Sequence, residues 1–281
     1  MGSSARPVRT AHAATSARLD MPSDPYSPAY RDRVFEIYTW LHGKPYDPSH
    51  EASVFDVAAA ADSPFPYNTQ SGQTVGNQLI AVGHIIRTLD LEPGSRVLEF
   101  GPGWGNTTVA LARMGHHVTA IDVEPRFVEL ITTRAERVNT KVDAVVGDFS
   151  LLHELDEQYD AVLFFECFHH CADHLSLLAG LDRVVRPGGK VYFAAEPITD
   201  AMPAPWGLRF DGESLWQIRK NGWLELGFRE TYFLKTLERY GWKADKIVCD
   251  ATPWGVIYAA RRADAPATPA RSCPRAGPPR W

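Results

Sequence analysis

Two apolar periodicities alternate along the chain. Short runs of strand formers recur at Val97 to Phe100, His117 to Ile121, Val142 to Val146, Tyr159 to Phe165 and Lys190 to Ala195. Between them lie stretches whose apolar residues fall three and four apart: Val109, Leu111 and Ala112; Phe127, Leu130, Ile131 and Val138; Leu177, Leu178, Leu181 and Val184. Strands alternating with amphipathic helices predict βα units and a parallel sheet. Tyr159 to Phe165 (YDAVLFF) is almost wholly apolar, as a strand covered on both faces must be. Later, Trp242 to Cys249 and Trp254 to Ala260 read as strands joined by a turn too short for a crossover helix, so they run antiparallel to each other. The fold class is therefore α/β, a Rossmann-like, mostly parallel sheet with an antiparallel last strand.

Two additions precede and interrupt this alternation. Ser27-Pro28 opens a helix, with serine positioned as N-cap and proline at the first helical position. Tyr30, Val34, Ile37, Tyr38 and Leu41 form its apolar face. A loop-like stretch from Lys44 to Asn68 leads to a second helix over Gly72 to Leu89, with Val75, Leu79, Val82, Ile86 and Leu89 on one side. Both helices are expected to form a cap, residues 23–92, ahead of a domain spanning 93–262. Ile198 to Gly227 carries Trp206, Phe210, Trp216 and Trp223 without a regular strand pattern and reads as a lid insertion, residues 198–228. Residues 1–22 and 263–281 lack periodicity and are expected to be disordered.

The chemistry concentrates in Ser95 to Asp122. Its first strand ends in Glu99-Phe100-Gly101-Pro102-Gly103-Trp104-Gly105 and the next strand ends in Asp122. Glycines permit the positive φ of so tight a turn and bring backbone N–H groups of the following helix up to a ligand. A dinucleotide fingerprint requires G-x-G-x-x-G, but Asn106 occupies its last position. A carboxylate at Glu99 would repel a pyrophosphate and suits a ligand bearing an ammonium and a sulfonium. The E-x-G-x-G-x-G pattern followed by Asp122 resembles the class I S-adenosylmethionine-dependent methyltransferases, over roughly Leu91 to Arg261. The resemblance implies S-adenosyl-L-methionine as cofactor. Glu99, Gly101, Gly103 and Trp104 would border its methionine end, Asp122 would bind the ribose, Asp148 the adenine amino group, and Phe149 would pack on the ring.

Methyl donor and acceptor should meet at the loop after the fourth strand, Glu166-Cys167-Phe168-His169-His170. The Asn/Asp-Pro-Pro-Phe/Tyr signature of amide, protein and nucleic-acid methylators is replaced here by a His-His pair, as in many small-molecule methylators. A hydroxyl acceptor needs a base, and histidine titrates in the useful range. Alternating side chains on an extended loop would turn one histidine inward, and His169 is the expected base, with His170 packed behind it and Glu166 bordering the same site. Glu166, His170 and His174 fall at four-residue spacing, but the segment changes from loop to helix, so no metal site is expected.

Composition narrows the partners. Of 281 residues, 44% are hydrophobic and 22% charged, with a net charge of −5, which gives no electrostatic footprint for nucleic acid or an anionic membrane. No apolar run reaches the roughly 20 residues of a membrane span, and the first 20 residues lack a signal-peptide core. Four cysteines without a C-x-x-C pair suit reduced thiols and a cytoplasmic protein. The expected function is methyl transfer to a small-molecule acceptor, at oxygen with a histidine base. The alternatives are N-methylation of a small amine, a non-catalytic S-adenosylmethionine-binding module, and a nicotinamide oxidoreductase, against which the missing glycine counts. Oligomeric state leaves no trace in the sequence.

Overall fold

A computed structural model describes residues 20–63 and 71–264. The expectations for residues 1–19, for Pro64 to Gln70 with Phe65 and Tyr67, and for 265–281 lie outside the described residues. In chain order the elements are α1 (Pro28–His42), α2 (Val57–Asp62), α3 (Gly72–Leu89), β1 (Arg96–Phe100), α4 (Asn106–Arg113), β2 (His117–Asp122), α5 (Pro125–Arg137), β3 (Asp143–Val146), β4 (Tyr159–Phe165), α6 (His174–Val184) and β5 (Val185–Ala194). There follow β6 (Trp206–Leu208), α7 (Gly212–Lys220), β7 (Leu226–Phe228), α8 (Glu230–Arg239), β8 (Trp242–Val248) and β9 (Val256–Arg262).

Seven strands form one sheet in the order β3-β2-β1-β4-β5-β9-β8. The first five are parallel, and β9 runs antiparallel to both β5 and β8. Order reverses between β1 and β4, after which the chain moves to the other half of the sheet, and a ligand crevice is expected outside the carboxyl ends of these strands. Residue parity along each strand divides the core into two layers. Leu98, Phe100, Val162, Phe164, Val191 and Phe193 face one side, with Leu177 and Leu181 of α6 and Phe233 and Leu237 of α8. Val97, Val118, Ala161, Leu163 and Tyr192 face the other, with Leu111 and Ala112 of α4.

α1 begins where the sequence indicates. Ser27 is extended, and its side chain accepts from the Tyr30 N–H, with Pro28 at the first helical position. Tyr30, Val34, Ile37 and Tyr38 are buried. They pack on the 198–228 insertion: the Tyr30 hydroxyl donates to the Trp206 carbonyl at 2.7 Å, and the Trp206 indole donates to the Pro25 carbonyl at 2.8 Å. The insertion does contain strands, contrary to expectation: β6 and β7 pair as an antiparallel ribbon carrying α7 between them. Strands of three residues are too short to display a period of two, which is why the pattern concealed them.

α3 departs further from expectation. Its bounds are as predicted, but its buried row is Ala81, Ile85 and Leu89, whereas Leu79 is 65% exposed. It packs on the sheet face beside α4, opposite the layer that contains α1, and so is not part of a cap. Apolar residues occur on several sides of this helix, so periodicity alone does not select which row is buried.

Candidate active site

A cavity of about 360 Å³ opens outside the carboxyl ends of β1, β2 and β4. Its floor is the glycine turn. Gly101, Gly103 and Gly105 all have positive φ, between 51° and 68°, a region where other residues are strained. Two of the three are also needed for space: a Cβ on Gly101 would lie 2.5 Å from Cys167 Cβ, and one on Gly105 would lie 2.5 Å from Ile131 Cγ1. Gly103 is different, because a Cβ there would meet nothing within 4 Å and would project into open space at the cavity. α4 starts directly after the turn without a side-chain cap.

Asp122 lines the cavity from the end of β2. Its Oδ2 accepts from the Gly103 N–H at 3.0 Å and its Oδ1 from the Glu124 N–H at 2.9 Å, so the acid and the glycine turn position each other. Burial pushes its pKa up to about 6, against the pull of those two bonds. Glu99 lies one layer deeper and does not line the cavity. It accepts from the Thr108 hydroxyl at 2.6 Å, and burial, with Asp122 nearby, pushes it up to about 7. Trp104 also departs from its expected place: it is buried away from the cavity, stacked on Phe55 at 5.7 Å in a satellite cluster with Ala60 and Leu130. Asp148 and Phe149 do line the cavity, Asp148 accepting from the N–H and hydroxyl of Ser150 and Phe149 stacked on Phe100 at 5.6 Å.

The loop after β4 reverses the expected placement of the histidines. Phe168 to His170 form a 3₁₀ turn, so successive side chains do not alternate as they would on extended backbone. His170 lines the cavity, whereas His169 turns behind it. Glu196, fully buried after β5, holds this turn. It accepts from the Cys167 and Phe168 N–H groups at 2.9 Å each, from the His169 N–H at 3.1 Å, and pairs with His169 Nδ1 at 2.8 Å. Burial alone would raise its pKa, but His169 and the backbone donors outweigh it and hold Glu196 below the usual carboxylate range.

His170 Nδ1 lies 3.2 Å from Glu51 Oε2. Burial depresses the imidazole pKa, yet the charges of Glu51, Glu225 and Glu196 overcome this and raise it to about 9. Glu51 reaches this place from a 3₁₀ turn over Pro48–Glu51, and its other oxygen accepts from the Leu224 N–H at 2.8 Å, joining the N-terminal segment, the insertion and the post-β4 loop. Glu166, at φ 51°, opens onto the cavity while ringed by protein atoms, and that crowding, with Glu196 nearby, pushes it up to about 7. Strained backbone in such a place is a feature of functional sites.

His174 does not join Glu166 and His170. It is buried among Trp206 and Phe228, its Nε2 lies 3.0 Å from the Tyr232 hydroxyl, and burial depresses its pKa to about 3. The chain instead brings His169, His170 and Glu225 within 4.8 Å of one another. Glu225 is 3.9 Å from His169 Nε2 and 3.4 Å from Arg209, and Glu51 holds His170. Cys167 and Cys171 are buried free thiols, Cys167 Sγ contacting the Phe100 carbonyl at 3.0 Å. Glu51, Glu196 and Glu225 were not identified as site residues in the sequence. Only Glu196 carried a signal, as an acid at the end of a parallel strand.

The donor set fits S-adenosylmethionine. The glycine turn leaves open space at Gly103 for its methionine end, Asp122 can receive its ribose hydroxyls, and Phe149 its adenine face. A cationic ligand at the cavity would stabilise the ionised form of Asp122, whose pKa burial raises.

Comparison with known proteins agrees with this geometry. The family described as "Methyltransferase domain" matches residues 98–193. The ubiquinone biosynthesis O-methyltransferase of Xanthomonas campestris pv. campestris (strain B100) is 33% identical over 103 residues, covering 36% of this chain and 43% of that protein. The protein of the same name from Xylella fastidiosa (strain 9a5c) is 32% identical over 100 residues, 35% of this chain and 41% of that one. The chain thus spans less than half the length of these curated relatives. Among solved structures, magnesium protoporphyrin IX methyltransferase from Synechocystis PCC 6803 with bound SAH aligns with a TM-score of 0.54 at 17% identity, covering 74% of this chain and 94% of that one. An S-adenosylmethionine dependent methyltransferase from Mesorhizobium loti gives 0.53 at 20% identity, covering 68% and 100%. These likenesses establish the fold.

Proposed function

We propose that this chain, a member of the class I S-adenosylmethionine-dependent methyltransferase superfamily by its sheet order and its matched domain, methylates a hydroxyl of a small-molecule acceptor. One observation carries the reading: a single cavity reaches from the glycine turn and Asp122 to the Glu51–His170 pair. Bound at the turn, S-adenosylmethionine would supply an electrophilic methyl group on a sulfonium centre. Its polar end would stand over the turn at Gly103, and Asp122 would orient the ribose. The 167–170 turn, fixed by Glu196, sets where an acceptor can stand, and alignment supplies much of the acceleration of such a displacement.

His170 takes the hydroxyl proton as the new O–C bond forms and the C–S bond breaks. Glu51 beside Nδ1 holds the ring and balances the imidazolium that results. His170 acts in its neutral form, whose share grows as pH rises toward about 9. Tyr46, Pro48 and Trp223 close the acceptor end against water. The names of the relatives favour oxygen as the methylated atom. The acid-rich lining also favours a second reading, N-methylation of a small amine. The 93–262 domain and the 198–228 lid belong to the same proposal, in which the expected cap over 23–92 loses α3 to the sheet.

The test is S-adenosylhomocysteine release during incubation with S-adenosylmethionine and a panel of phenols and amines, with products identified by mass and NMR. O-methylated product supports the main reading and N-methylated product the second. Tight cofactor binding with no S-adenosylhomocysteine formed across the panel would instead favour a non-catalytic module.

A further inference from the structure

The charges around the cavity are unbalanced. Glu51, Asp122, Asp148, Glu166 and Asp173 line it, and no lysine or arginine does so among the described residues. The lining also holds two imidazoles, His153 and His170, and His170 is already paired with Glu51. Residues 64–70, which follow α2, contain no charged side chain in their sequence. Behind the lining stand more acids: Glu99 under the turn, and Glu196 and Glu225 beside the histidines. Arg209, Arg31 and Arg126 stand outside the lining, Arg126 donating to the Ser53 carbonyl and pairing with Glu124. Arg209 is spent on Glu225 and Asp211, and Arg31 forms a half-exposed pair with Asp173 at 2.9 Å.

S-adenosylmethionine brings one net positive charge, which leaves the enclosure still acidic. An acceptor with a carboxylate, phosphate or sulfate would have to stand among these groups, with no guanidinium or ammonium among the described lining residues to receive it. Like charges brought together in a desolvated site strongly disfavour the wrong ligand. An uncharged or amine-bearing acceptor meets no such opposition, and a cationic one gains from it.

We propose that the acceptor carries no anionic group, and that the acid-lined cavity rejects carboxylated, phosphorylated and sulfated analogues of an otherwise suitable hydroxylated molecule. This rests on the cavity being the methyl-transfer site, as argued above. It adds a class of substrate that the methyltransferase fold does not specify.

The test uses three probes of matched shape: catechol, 3,4-dihydroxybenzylamine and 3,4-dihydroxybenzoate. Binding of each to the protein loaded with S-adenosylhomocysteine is measured by calorimetry at pH 7 and low salt, alongside turnover with S-adenosylmethionine. The benzoate is expected to bind at least tenfold more weakly than the other two, and to show at least a tenfold lower kcat/KM wherever turnover is seen. Added salt should narrow the gap, because screening weakens charge repulsion. Asp173→Asn and Glu51→Gln should also narrow it, whatever Glu51→Gln does to the rate. Benzoate binding as tight as that of catechol, or failure of both catechol and the benzylamine to bind, overturns the proposal. Failure of the methyl-transfer reading is separate and shows as absence of S-adenosylhomocysteine formation with the binding order intact.

Discussion

Replacing Glu196 by glutamine changes one oxygen to an amide nitrogen, and the surroundings cannot accommodate it. Oε1 accepts from Cys167 and Phe168, while Oε2 accepts from the His169 N–H and pairs with its Nδ1. Every partner on the backbone is a donor, so the NH₂ of glutamine opposes two N–H groups if it faces Cys167 and Phe168, and if it faces His169 it opposes one N–H and loses the charged pairing with Nδ1. Two charge-assisted bonds are lost, at about 1.5–3 kcal/mol each, in a position with 7% exposure. The expected cost is about 3–6 kcal/mol, a large part of the 5–15 kcal/mol that typically separates folded from unfolded chains. The same change frees the turn that carries His170, so kcat should fall more than cofactor affinity. Urea unfolding and steady-state kinetics measure the two effects. Since the folded pKa of Glu196 lies below its unfolded value, its contribution is present above about pH 4.5 and is lost as pH falls through the lower folded value. Glu196→Gln should therefore flatten that acid limb. A variant within about 0.5 kcal/mol of wild type, with unchanged kcat, would refute the role assigned to the carboxylate.

His170→Ala should lower kcat by about 10²–10⁴, with little change in S-adenosylmethionine affinity, whereas His169→Ala should act chiefly on stability. Wild-type kcat should rise with pH toward about 9 as His170 loses its proton, and Glu51→Gln should move that rise to lower pH; a rate independent of pH from 6 to 9 would count against His170 as the base. Gly101→Ala meets both a left-handed φ of 56° and Cys167 at 2.5 Å, so thermal unfolding should show a loss of about 2–5 kcal/mol from strain and overpacking together. Gly103→Ala carries the strain without the clash and should lose only about 1–2 kcal/mol, while weakening cofactor binding because its Cβ projects at the cavity.

How legible the molecule was in its sequence depended on whether a residue's role is local. The βα alternation, the positive-φ glycines, the Ser27 cap and the antiparallel β9 follow from periodicity, turn chemistry and loop length, and all appear where expected. Asp122, Asp148 and Phe149 could be placed because strand ends in this topology converge on one crevice. Trp104 could not, since a residue between two glycines can turn either way, and here Phe55 offers an apolar partner. The histidines were exchanged because a 3₁₀ turn replaced the assumed extended loop, and what imposes that turn is Glu196, 27 residues from His169. Glu51 is more distant still, reaching His170 from before the sheet begins. Long-range carboxylate contacts of this kind have no periodic signature.

Calorimetric titration of the protein and of Asp122→Ala with S-adenosylmethionine tests the central claim most directly, because the acid at the end of β2 and the glycine turn it holds define the cofactor site. One S-adenosylmethionine per chain should bind at micromolar concentration, NAD should give no heat, and Asp122→Ala should weaken binding at least tenfold, or about 1.4 kcal/mol. Binding of NAD in place of S-adenosylmethionine, or S-adenosylmethionine binding unaffected by Asp122→Ala, would contradict the account.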